Sequence, residues 1–185
     1  QVGNRNELQG AVAQYLADLY QSLVDGVVPA GRGGRVTVFI LGRYKNDRQY
    51  VPEGWHDWFG DRIELKFKTI HTSKGDEADY VILPGLVARG FPNVKSDDPV
   101  LGLVMPEGDT YQHSEERRLF YVALTRARRS VAMFTVMGKS SPFLDEMIKE
   151  GAITLTNIQG EQIQEDRCPN CKRGVMVTRH GKFGE

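Results

Sequence analysis

The sequence lacks the marks of a membrane protein and of a protein that coats nucleic acid. No run of its apolar residues is long enough to cross a membrane, and no secretory or transit pattern occurs in it. Its 24 basic residues are balanced by 24 acidic ones, so the formal net charge is zero. The surface as a whole is therefore not expected to attract nucleic acid, and any such binding must come from local patches of charge.

The sequence also lacks the phosphate-binding loop of nucleoside triphosphatases. The pattern Gly-x-x-x-x-Gly-Lys-Ser/Thr does not occur, and the two glycines within residues 32–35 have the wrong spacing and predict a flexible turn before a strand. No acidic run after an apolar strand resembles a Walker B segment, which binds Mg²⁺. We therefore expect that this chain cannot hydrolyse ATP unaided.

Apolar residues make up 40% of the 185 residues, which is enough for a single core. Their spacing predicts a helix over residues 6–23, and Pro142 opens a second predicted helix that ends at residue 149. Apolar runs predict four strands, over residues 35–41, 63–70, 80–86 and 130–137. Residues 95–113 are rich in Pro, Gly and Asp and predict a loop. This alternation predicts an α/β fold with a mostly parallel, doubly wound sheet flanked by helices.

An arginine-rich stretch, residues 115–128, carries an unusual pattern for a helix. One helical stripe would hold three apolar residues and one arginine, namely Leu119, Val122, Ala123 and Arg126. A guanidinium is costly to bury alone, and its planar fork of donors suits a phosphate. The alternative is that Arg126, Arg128 and Arg129 only complement the carbonyls at a helix C-terminus. Ser114 is the predicted cap at the start of this helix.

Residues 69–77 form a predicted connection between two strands and hold several groups that could bind a ligand. Gly75 would let the backbone approach a ligand closely, and Glu77 could accept a hydrogen bond from a sugar hydroxyl. Loops at the carboxyl ends of parallel strands are where open α/β sheets bind ligands. A polar, capped turn without any ligand is an equally good interpretation of this stretch taken alone.

Together the two stretches resemble motifs V and VI of the UvrD/Rep-like superfamily-one DNA helicases, whose patterns are roughly T-x-H-x-x-K-G-x-E and E-E-R-R-L-x-Y-V-A-x-T-R-A. The amino-acid sequence of residues 67–82 is most similar to the DNA helicase IV branch of this family. Residues 39–44 resemble the strand that carries a DNA-contacting arginine in this family, and residues 90–92 also match. The resemblance covers residues 35–147.

The resemblance implies the second of two RecA-like motor domains, with ATP bound in the cleft between the two. It implies that Arg126 is an arginine finger, which is a catalytic residue and also an ATP-binding one. Gly75 and Glu77 correspond to ATP-binding positions beside the phosphates and the ribose. ATP and its Mg²⁺ would be bound mainly by the other motor domain.

The resemblance also implies contacts with DNA. Thr69 and His71 correspond to residues that touch the single strand, and Arg43 to the strand-borne arginine that binds a phosphate. Lys74 has no role by resemblance, and we expect it to face solvent or DNA. The family moves 3′ to 5′ on single-stranded DNA and acts at duplex junctions, so both are expected partners.

The chain begins at Gln1 without an initiator methionine and resembles only the distal half of the family pattern. We interpret it as a C-terminal fragment of a larger motor, with the N-terminal motor domain of the same protein as its partner. The expected organisation is a motor domain over residues 1–150, a linker over residues 151–166 and a tail over residues 167–185. The resemblance implies a cytoplasmic protein of DNA repair without a membrane partner.

Cys168 and Cys171 form a Cys-x-x-Cys pair, which alone could be a redox pair, half of a metal site or chance. The string that they begin resembles the first half of a topoisomerase-type C4 zinc ribbon. Tetrahedral Zn²⁺ needs four ligands, and the second cysteine pair is absent from this sequence. His180 is a poor substitute for it. We expect a tail without metal here, and a zinc-bound knuckle that contacts DNA in the intact parent protein.

Two alternative functions stay open at this point. The first is a non-catalytic DNA-binding or docking module that keeps a degenerate helicase fold. The second is the helicase part of a helicase–nuclease, which would need a carboxylate cluster with a lysine downstream; the remaining tail shows none.

Overall fold

The structure is a computed structural model in which residues 1–93 and 113–163 are described. The predicted loop over residues 95–113, apart from its last residue, and the cysteine pair of the tail lie outside the described residues. The described part contains four helices, α1 Leu8–Val24, α2 Trp55–Phe59, α3 Ser114–Leu124 and α4 Pro142–Lys149. It also contains four strands, β1 Val36–Gly42, β2 Ile63–Thr69, β3 Ala78–Leu83 and β4 Ala127–Met133.

The four strands form one sheet in the order β2-β1-β3-β4, and every pair is parallel. The predicted α/β fold with a parallel sheet flanked by helices is therefore confirmed. The chain passes from β1 outward to β2 and then crosses back over β1 to reach β3. β1 and β3 are thus the neighbouring strands at which the direction of winding reverses, the place where open sheets bind ligands beyond the carboxyl ends of their strands.

Alternation along the strands gives the sheet two buried faces. Val38 and Ile40 of β1 belong to a core cluster with the apolar side of α1, whereas Phe39 and Leu41 belong to a cluster that includes Phe120 of α3. Every residue of β3 is buried, which explains its nearly continuous apolar sequence. Both faces are therefore covered, and the sites for ligands are left to the two ends of the strands.

Two helices follow the sequence pattern closely. The predicted helix over residues 6–23 is present as a short 3-10 turn, Arg5–Glu7, followed by α1. Its buried residues recur every three or four positions, as the prediction required. α4 begins at the predicted Pro142 and ends at the predicted Lys149, and the Ser141 hydroxyl caps it by accepting from the Phe143 N–H at 3.3 Å.

The end of the arginine helix was predicted wrongly. α3 stops at Leu124, so Arg126 does not lie on a helical stripe, and Arg128 and Arg129 lie in β4 rather than at a helix end. The Arg126 carbonyl accepts from the Ala78 N–H at 2.9 Å, so the chain has already entered the sheet at this point. Pairing with β3 therefore ends the helix earlier than the helical pattern predicts. The apolar pattern alone could not show where β4 starts.

The buried stripe of α3 also differs from the predicted one. Its buried residues are Glu116, Phe120 and Ala123, whereas Leu119 and Val122 are half-buried. Ser114 is the first residue of the helix rather than its cap, since His113 precedes it at a φ of 59° without a capping side-chain hydrogen bond. The stripe therefore carries an acid rather than an arginine toward the core.

Residues 151–163 lie against the rest of the described chain. A single antiparallel bridge joins Thr156 to Gln162, and the amino group of Gln1 donates to the Thr156 carbonyl at 2.6 Å. The predicted domain boundaries at residues 150 and 166 stay predictions. No helix among the residues described is long and apolar enough to span a membrane.

Candidate functional site

The six described residues predicted to act on ligands divide between the two ends of the sheet. Thr69, the last residue of β2, pairs with Gly42, the last of β1, so Arg43, Thr69 and His71 share the carboxyl end. Ala78 and Ala127, the first residues of β3 and β4, are also paired, so Gly75, Glu77 and Arg126 share the amino end. We call these sets the carboxyl-end group and the amino-end group. The first holds the predicted DNA contacts. The second holds the predicted ATP contacts, so the expectation that residues 69–77 meet a ligand at the carboxyl ends of the strands does not hold for Gly75 and Glu77.

One short connection belongs to both groups. Residues 70–77 run from the end of β2 to the start of β3, and parallel strands force this passage to cross from one end of the sheet to the other. It begins with a 3-10 turn, His71–Ser73, and Ile70 is buried in the cluster that contains Phe120. Ser73 is also buried, and its hydroxyl donates to the Ile70 carbonyl at 2.7 Å.

Arg43, in the carboxyl-end group, is engaged by a buried carboxylate. Its Nε donates to Glu116 Oε2 at 3.0 Å and its Nη2 to Glu116 Oε1 at 2.7 Å. The Glu116 hydrogen bond and charge raise the pKa of the Arg43 guanidinium above its already high value. The guanidinium carbon also lies 5.1 Å from the ring centre of Tyr44, which is exposed.

The other two members of the carboxyl-end group lie at the end of β2. The Thr69 hydroxyl is 3.0 Å from the Thr72 hydroxyl, and the Thr69 N–H donates to that same Thr72 oxygen at 3.1 Å. Much of the hydrogen-bonding capacity of Thr69 is therefore used to hold the turn. His71 is exposed and follows directly. This end thus offers an exposed imidazole and an exposed phenol ring beside a paired guanidinium.

Arg126, in the amino-end group, is held by neutral oxygens. Its Nε donates to the Val122 carbonyl at 3.0 Å, its Nη1 to the Asp76 carbonyl at 3.3 Å and its Nη2 to the Thr125 hydroxyl at 3.2 Å. Within residues 1–93 and 113–163, no carboxylate lies within ion-pair distance of it. The guanidinium is thus oriented by three contacts to neutral oxygens without a direct ion pair, and its charge helps to lower the pKa of the Asp76 carboxyl.

Gly75 is explained by the turn in which it sits. Lys74 has φ −59° and ψ 125°, Gly75 has φ 87°, and the Asp76 N–H donates to the Ser73 carbonyl at 3.0 Å. These are the features of a type II turn, which needs a positive φ at its third residue. A Cβ on Gly75 would meet only open space, so the backbone here is also accessible to a ligand. The exposed Glu77 follows within the same open region.

Asp76 and Lys68 form an ion pair that ties this turn to β2. The hydrogen bond from Lys68, and then its charge, hold the pKa of the Asp76 carboxyl below its ordinary value. The Lys68 ammonium also lies 4.9 Å from the ring centre of Phe39. Asp76 therefore offers its carbonyl to Arg126 while its carboxylate is engaged elsewhere.

A second buried carboxylate, Asp79, organises the amino ends of β1, β3 and β4. It accepts from the Thr37 N–H at 2.9 Å and from the Thr37 hydroxyl at 3.0 Å. Arg128 Nη2 and Arg129 Nε each lie 3.4 Å from its other oxygen. Burial raises the pKa of Asp79, but the Thr37 hydrogen bonds and the two arginine charges outweigh it, so the pKa is below its ordinary value.

The sequence analysis missed Glu116 and Asp79 as organising residues. Glu116 was predicted only to lie in the first turn of the arginine helix, although it stands four residues before Phe120 and seven before Ala123, both of which are buried. An acid at this helical spacing was the available signal for a buried partner. Asp79 lies inside an apolar run and could have been suspected for the same reason, but nothing in the sequence identified Thr37 as its partner.

The described residues do not form a metal site. No three His, Cys, Asp or Glu side chains come together there in a way that could hold a metal ion. Cys168 and Cys171 lie outside the described residues, so their Zn²⁺ site stays a prediction. No step proposed below depends on a metal bound by this chain.

Comparison with known proteins supports the predicted resemblance for part of the chain. Residues 56–137 match the model of the UvrD-like helicase C-terminal domain. Both stretches that carried the resemblance, and five of the six predicted ligand contacts, lie within that range; Arg43 precedes it. The predicted resemblance to a UvrD-like helicase C-terminal domain is therefore confirmed over residues 56–137, whereas the start of a zinc ribbon stays a prediction.

Curated relatives agree with this assignment. The chain is 37% identical over 111 residues to DNA helicase IV of Escherichia coli K12, which covers 58% of this chain and 16% of that protein. It is 36% identical over 94 residues to a probable DNA helicase of Mycoplasma pneumoniae, with 47% and 16% covered. It is 31% identical over 118 residues to the ATP-dependent DNA helicase UvrD1 of Mycobacterium tuberculosis H37Rv, with 63% and 14% covered. The alignments thus span less than a fifth of the length of these relatives.

A solved structure shares part of the shape. It is the C-terminal domain of a possible DNA helicase from Lactobacillus plantarum WCFS1, with a TM-score of 0.44 and 17% sequence identity. The alignment covers 77% of this chain and 74% of that one.

Proposed function

We propose that this chain is the second motor domain of an ATP-dependent DNA helicase, and that Arg126 is its arginine finger. The observation that carries this proposal is the setting of Arg126. Its guanidinium is oriented by the Val122 and Asp76 carbonyls and by the Thr125 hydroxyl, and no carboxylate among the described residues forms a direct ion pair with it. An oriented cation without a direct ion pair is suited to charge that develops on a transferring phosphoryl group.

ATP, with its Mg²⁺, would supply the transferring phosphoryl group and would be bound mainly by an N-terminal motor domain. From this chain, the turn at Gly75 leaves room for a ligand beside the backbone, and the exposed Glu77 can accept a hydrogen bond from a ribose hydroxyl. Arg126 would stabilise the transition state more than the ground state, since the charge on the phosphoryl oxygens grows during transfer. Arg126 thereby completes an active site whose other half this sequence lacks.

The carboxyl-end group would contact single-stranded DNA. His71 is exposed, Tyr44 offers an aromatic face on which a base can stack, and Arg43 keeps its Nη1 free of the Glu116 carboxylate. Because the group is small and the net charge of the chain is zero, binding should depend on few phosphates. Translocation in the 3′ to 5′ direction at duplex junctions, a role in DNA repair and a cytoplasmic location are part of this proposal by resemblance to the family.

The test is DNA-stimulated ATP hydrolysis by a full-length protein that contains this domain. Wild type should hydrolyse ATP faster when a single-stranded oligonucleotide is added, and Arg126→Ala should remove most of that turnover while ATP still binds. Arg128→Ala is the matched control, because Arg128 is two residues away and pairs with Asp79 instead. Normal turnover in Arg126→Ala would refute the finger. A wild-type protein that binds the oligonucleotide but never hydrolyses ATP would refute the motor and favour the non-catalytic docking module.

A further inference from the structure

We infer that Glu116 is a positioning residue which couples the DNA contacts to the ATP contacts through α3. This inference rests on the proposed function, since it requires that both ends of the sheet bind their ligands. The ion pair of Arg43 and Glu116 joins the carboxyl end of β1 to the first turn of α3. The last turn of the same helix holds the backbone that orients Arg126.

Glu116 is held firmly by its hydrogen-bond partners. Glu116 is only 2% exposed, and its carboxylate accepts from Arg43 Nε, from Arg43 Nη2 and from the Asn93 N–H at 3.2 Å. Loss of its partner would leave the Glu116 carboxylate buried and uncompensated, which strongly destabilises the folded state. Arg43 therefore cannot turn away from Glu116 to follow a phosphate. If bound DNA moves Arg43, Glu116 has to move with it.

The contact with Glu116 determines which donors of Arg43 can meet a phosphate. With Nε and Nη2 occupied, the part of the fork that can meet a phosphate is the edge at Nη1, and 18% of the side chain is exposed. The fork is also flanked by the Tyr44 ring. Glu116 thus fixes the direction in which Arg43 presents its remaining donors, so that one phosphate can be gripped without freeing the arginine.

The helix α3 between the two groups is packed against its neighbours and can move as one element. From Glu116 to Val122 the helix advances roughly 9 Å at about 1.5 Å per residue. Phe120 stacks on Phe143 of α4 with ring centres 5.3 Å apart, and Phe91, two residues before Asn93, lies 5.9 Å from Phe120. Val122 then supplies the carbonyl that holds Arg126 Nε. A small displacement at Glu116 is therefore passed along one packed element to the guanidinium at the other end.

The obvious variant is Glu116→Gln, which keeps the shape and removes the charge. Its matched control is Glu146→Gln, because Glu146 makes the other bidentate pair of α3, with Arg117 at 2.6 and 2.7 Å, and this pair is exposed. Two ratios are measured on full-length protein. The first is the factor by which a single-stranded oligonucleotide raises the ATP turnover rate. The second is the factor by which a non-hydrolysable ATP analogue changes the affinity for a fluorescent oligonucleotide.

The binding ratio tests coupling directly, since coupling between two ligands is reciprocal. We expect Glu116→Gln to bring both factors down about tenfold, toward one, and Glu146→Gln to leave both as in wild type. A merely structural role for Glu116 would lower stability but leave the two ratios intact in the folded fraction. Wild-type ratios in folded Glu116→Gln would therefore overturn the inference.

A second variant covers the case in which Glu116→Gln does not fold. The double variant Arg43→Gln with Glu116→Gln removes both charges together, which costs far less than leaving one of them unpaired. Because Arg43 is itself a proposed DNA contact, the turnover ratio is measured at an oligonucleotide concentration that saturates the variant. If this double variant folds and both ratios are lost, the inference is supported; if it folds with normal ratios, the inference is wrong. Failure of the proposed function looks different, because wild type would then show no stimulation by DNA and Arg126→Ala would change nothing.

Discussion

Arg43 and Arg126 lie at opposite ends of one sheet, and different chemistry holds each of them. Arg43 is clamped by the buried carboxylate of Glu116, whereas Arg126 is held by two carbonyls and a hydroxyl. A carboxylate both orients a guanidinium and neutralises it, but a carbonyl orients it while leaving the net charge in place. Under the proposed function, this difference suits Arg43 to stable positioning and Arg126 to attraction of an anion.

The largest effect should come from removal of Arg126. We expect Arg126→Ala to lower the ATP turnover rate of the full-length protein by roughly 10³–10⁵, the range measured for arginine fingers, with little change in ATP affinity. Its free energy of unfolding should fall by no more than about 1 kcal/mol, because only partly exposed bonds to neutral oxygens are lost. Steady-state kinetics and urea unfolding of the same preparation measure the two quantities. A large loss of stability together with a small loss of turnover would show that Arg126 is a structural residue and not an arginine finger.

Removal of Arg43 should lower stability much more than removal of Arg126 does. Arg43→Ala leaves the carboxylate of Glu116 buried without its main partner, and we expect the free energy of unfolding to fall by about 3–5 kcal/mol. Arg43→Ala combined with Glu116→Gln should recover much of that loss. Unfolding in urea at neutral pH measures both variants. If Arg43→Ala is as stable as wild type, the carboxylate is not the firm clamp described above.

The comparison can be sharpened by giving Arg126 the kind of partner that Arg43 has. Thr125→Asp replaces the hydroxyl that accepts from Arg126 Nη2 with a carboxylate. We expect the turnover rate to fall about tenfold to a hundredfold, because a neutralised guanidinium attracts the phosphoryl charge less. Thr125→Asn, which keeps an oxygen acceptor without the charge, is the control. Equal turnover in the two variants would show that the charge of Arg126 is not what matters.

Acid should weaken the amino end through Asp79. Its pKa is below the ordinary value of 3.8 in the folded chain, so the folded state binds this proton less readily than the unfolded state. The stabilising contribution is therefore complete above pH about 4 and is lost as the pH falls through the lower, folded-state pKa. Asp79→Asn should remove this part of the acid dependence of the free energy of unfolding. If the free energy of unfolding of Asp79→Asn falls in acid as steeply as that of wild type, other carboxylates account for the acid dependence.

The smallest effect is expected at the surface of α3. Glu146→Gln breaks a bidentate pair with Arg117, but both side chains are more than two-fifths exposed. Water and salt screen such a pair, so the free energy of unfolding should change by less than about 1 kcal/mol. Thermal unfolding at low and at moderate salt measures it. A loss as large as that in Arg43→Ala would show that burial does not explain the difference between the two pairs.

Much of the fold followed from the sequence because the strands and long helices have clear periods. Alternation in β2 and the continuous apolar run of β3 marked two neighbours of the central strand, and Pro142 marked the start of α4. The exit from α3 into β4 could not be predicted. It depends on pairing between Ala78 and Ala127, which are distant in sequence, and the helical pattern continues past the true end of the helix.

The residues of the candidate site come from motif resemblance and stay predictions, and the structure adds the contacts that each of them makes. Motif resemblance selected Arg126 and His71, and the fold places them at the two ends of the sheet as two separate groups. The sequence could not show that Glu116 holds Arg43, because the two residues are far apart along the chain. Nor could it show that Arg126 has no direct ion pair among the described residues, since only the geometry shows that Asp76 meets it through the carbonyl.

The connection over residues 70–77 sets a limit on how this domain can vary. Its eight residues must reach from the end of β2 to the start of β3 while supplying His71 to one group and the Asp76 carbonyl to the other. A side chain such as Lys74 can be exchanged there without altering the path, because it points into solvent. The number of residues is less free, since one insertion would turn the type II turn away from Arg126. Related domains should therefore differ in the composition of this segment before they differ in its length.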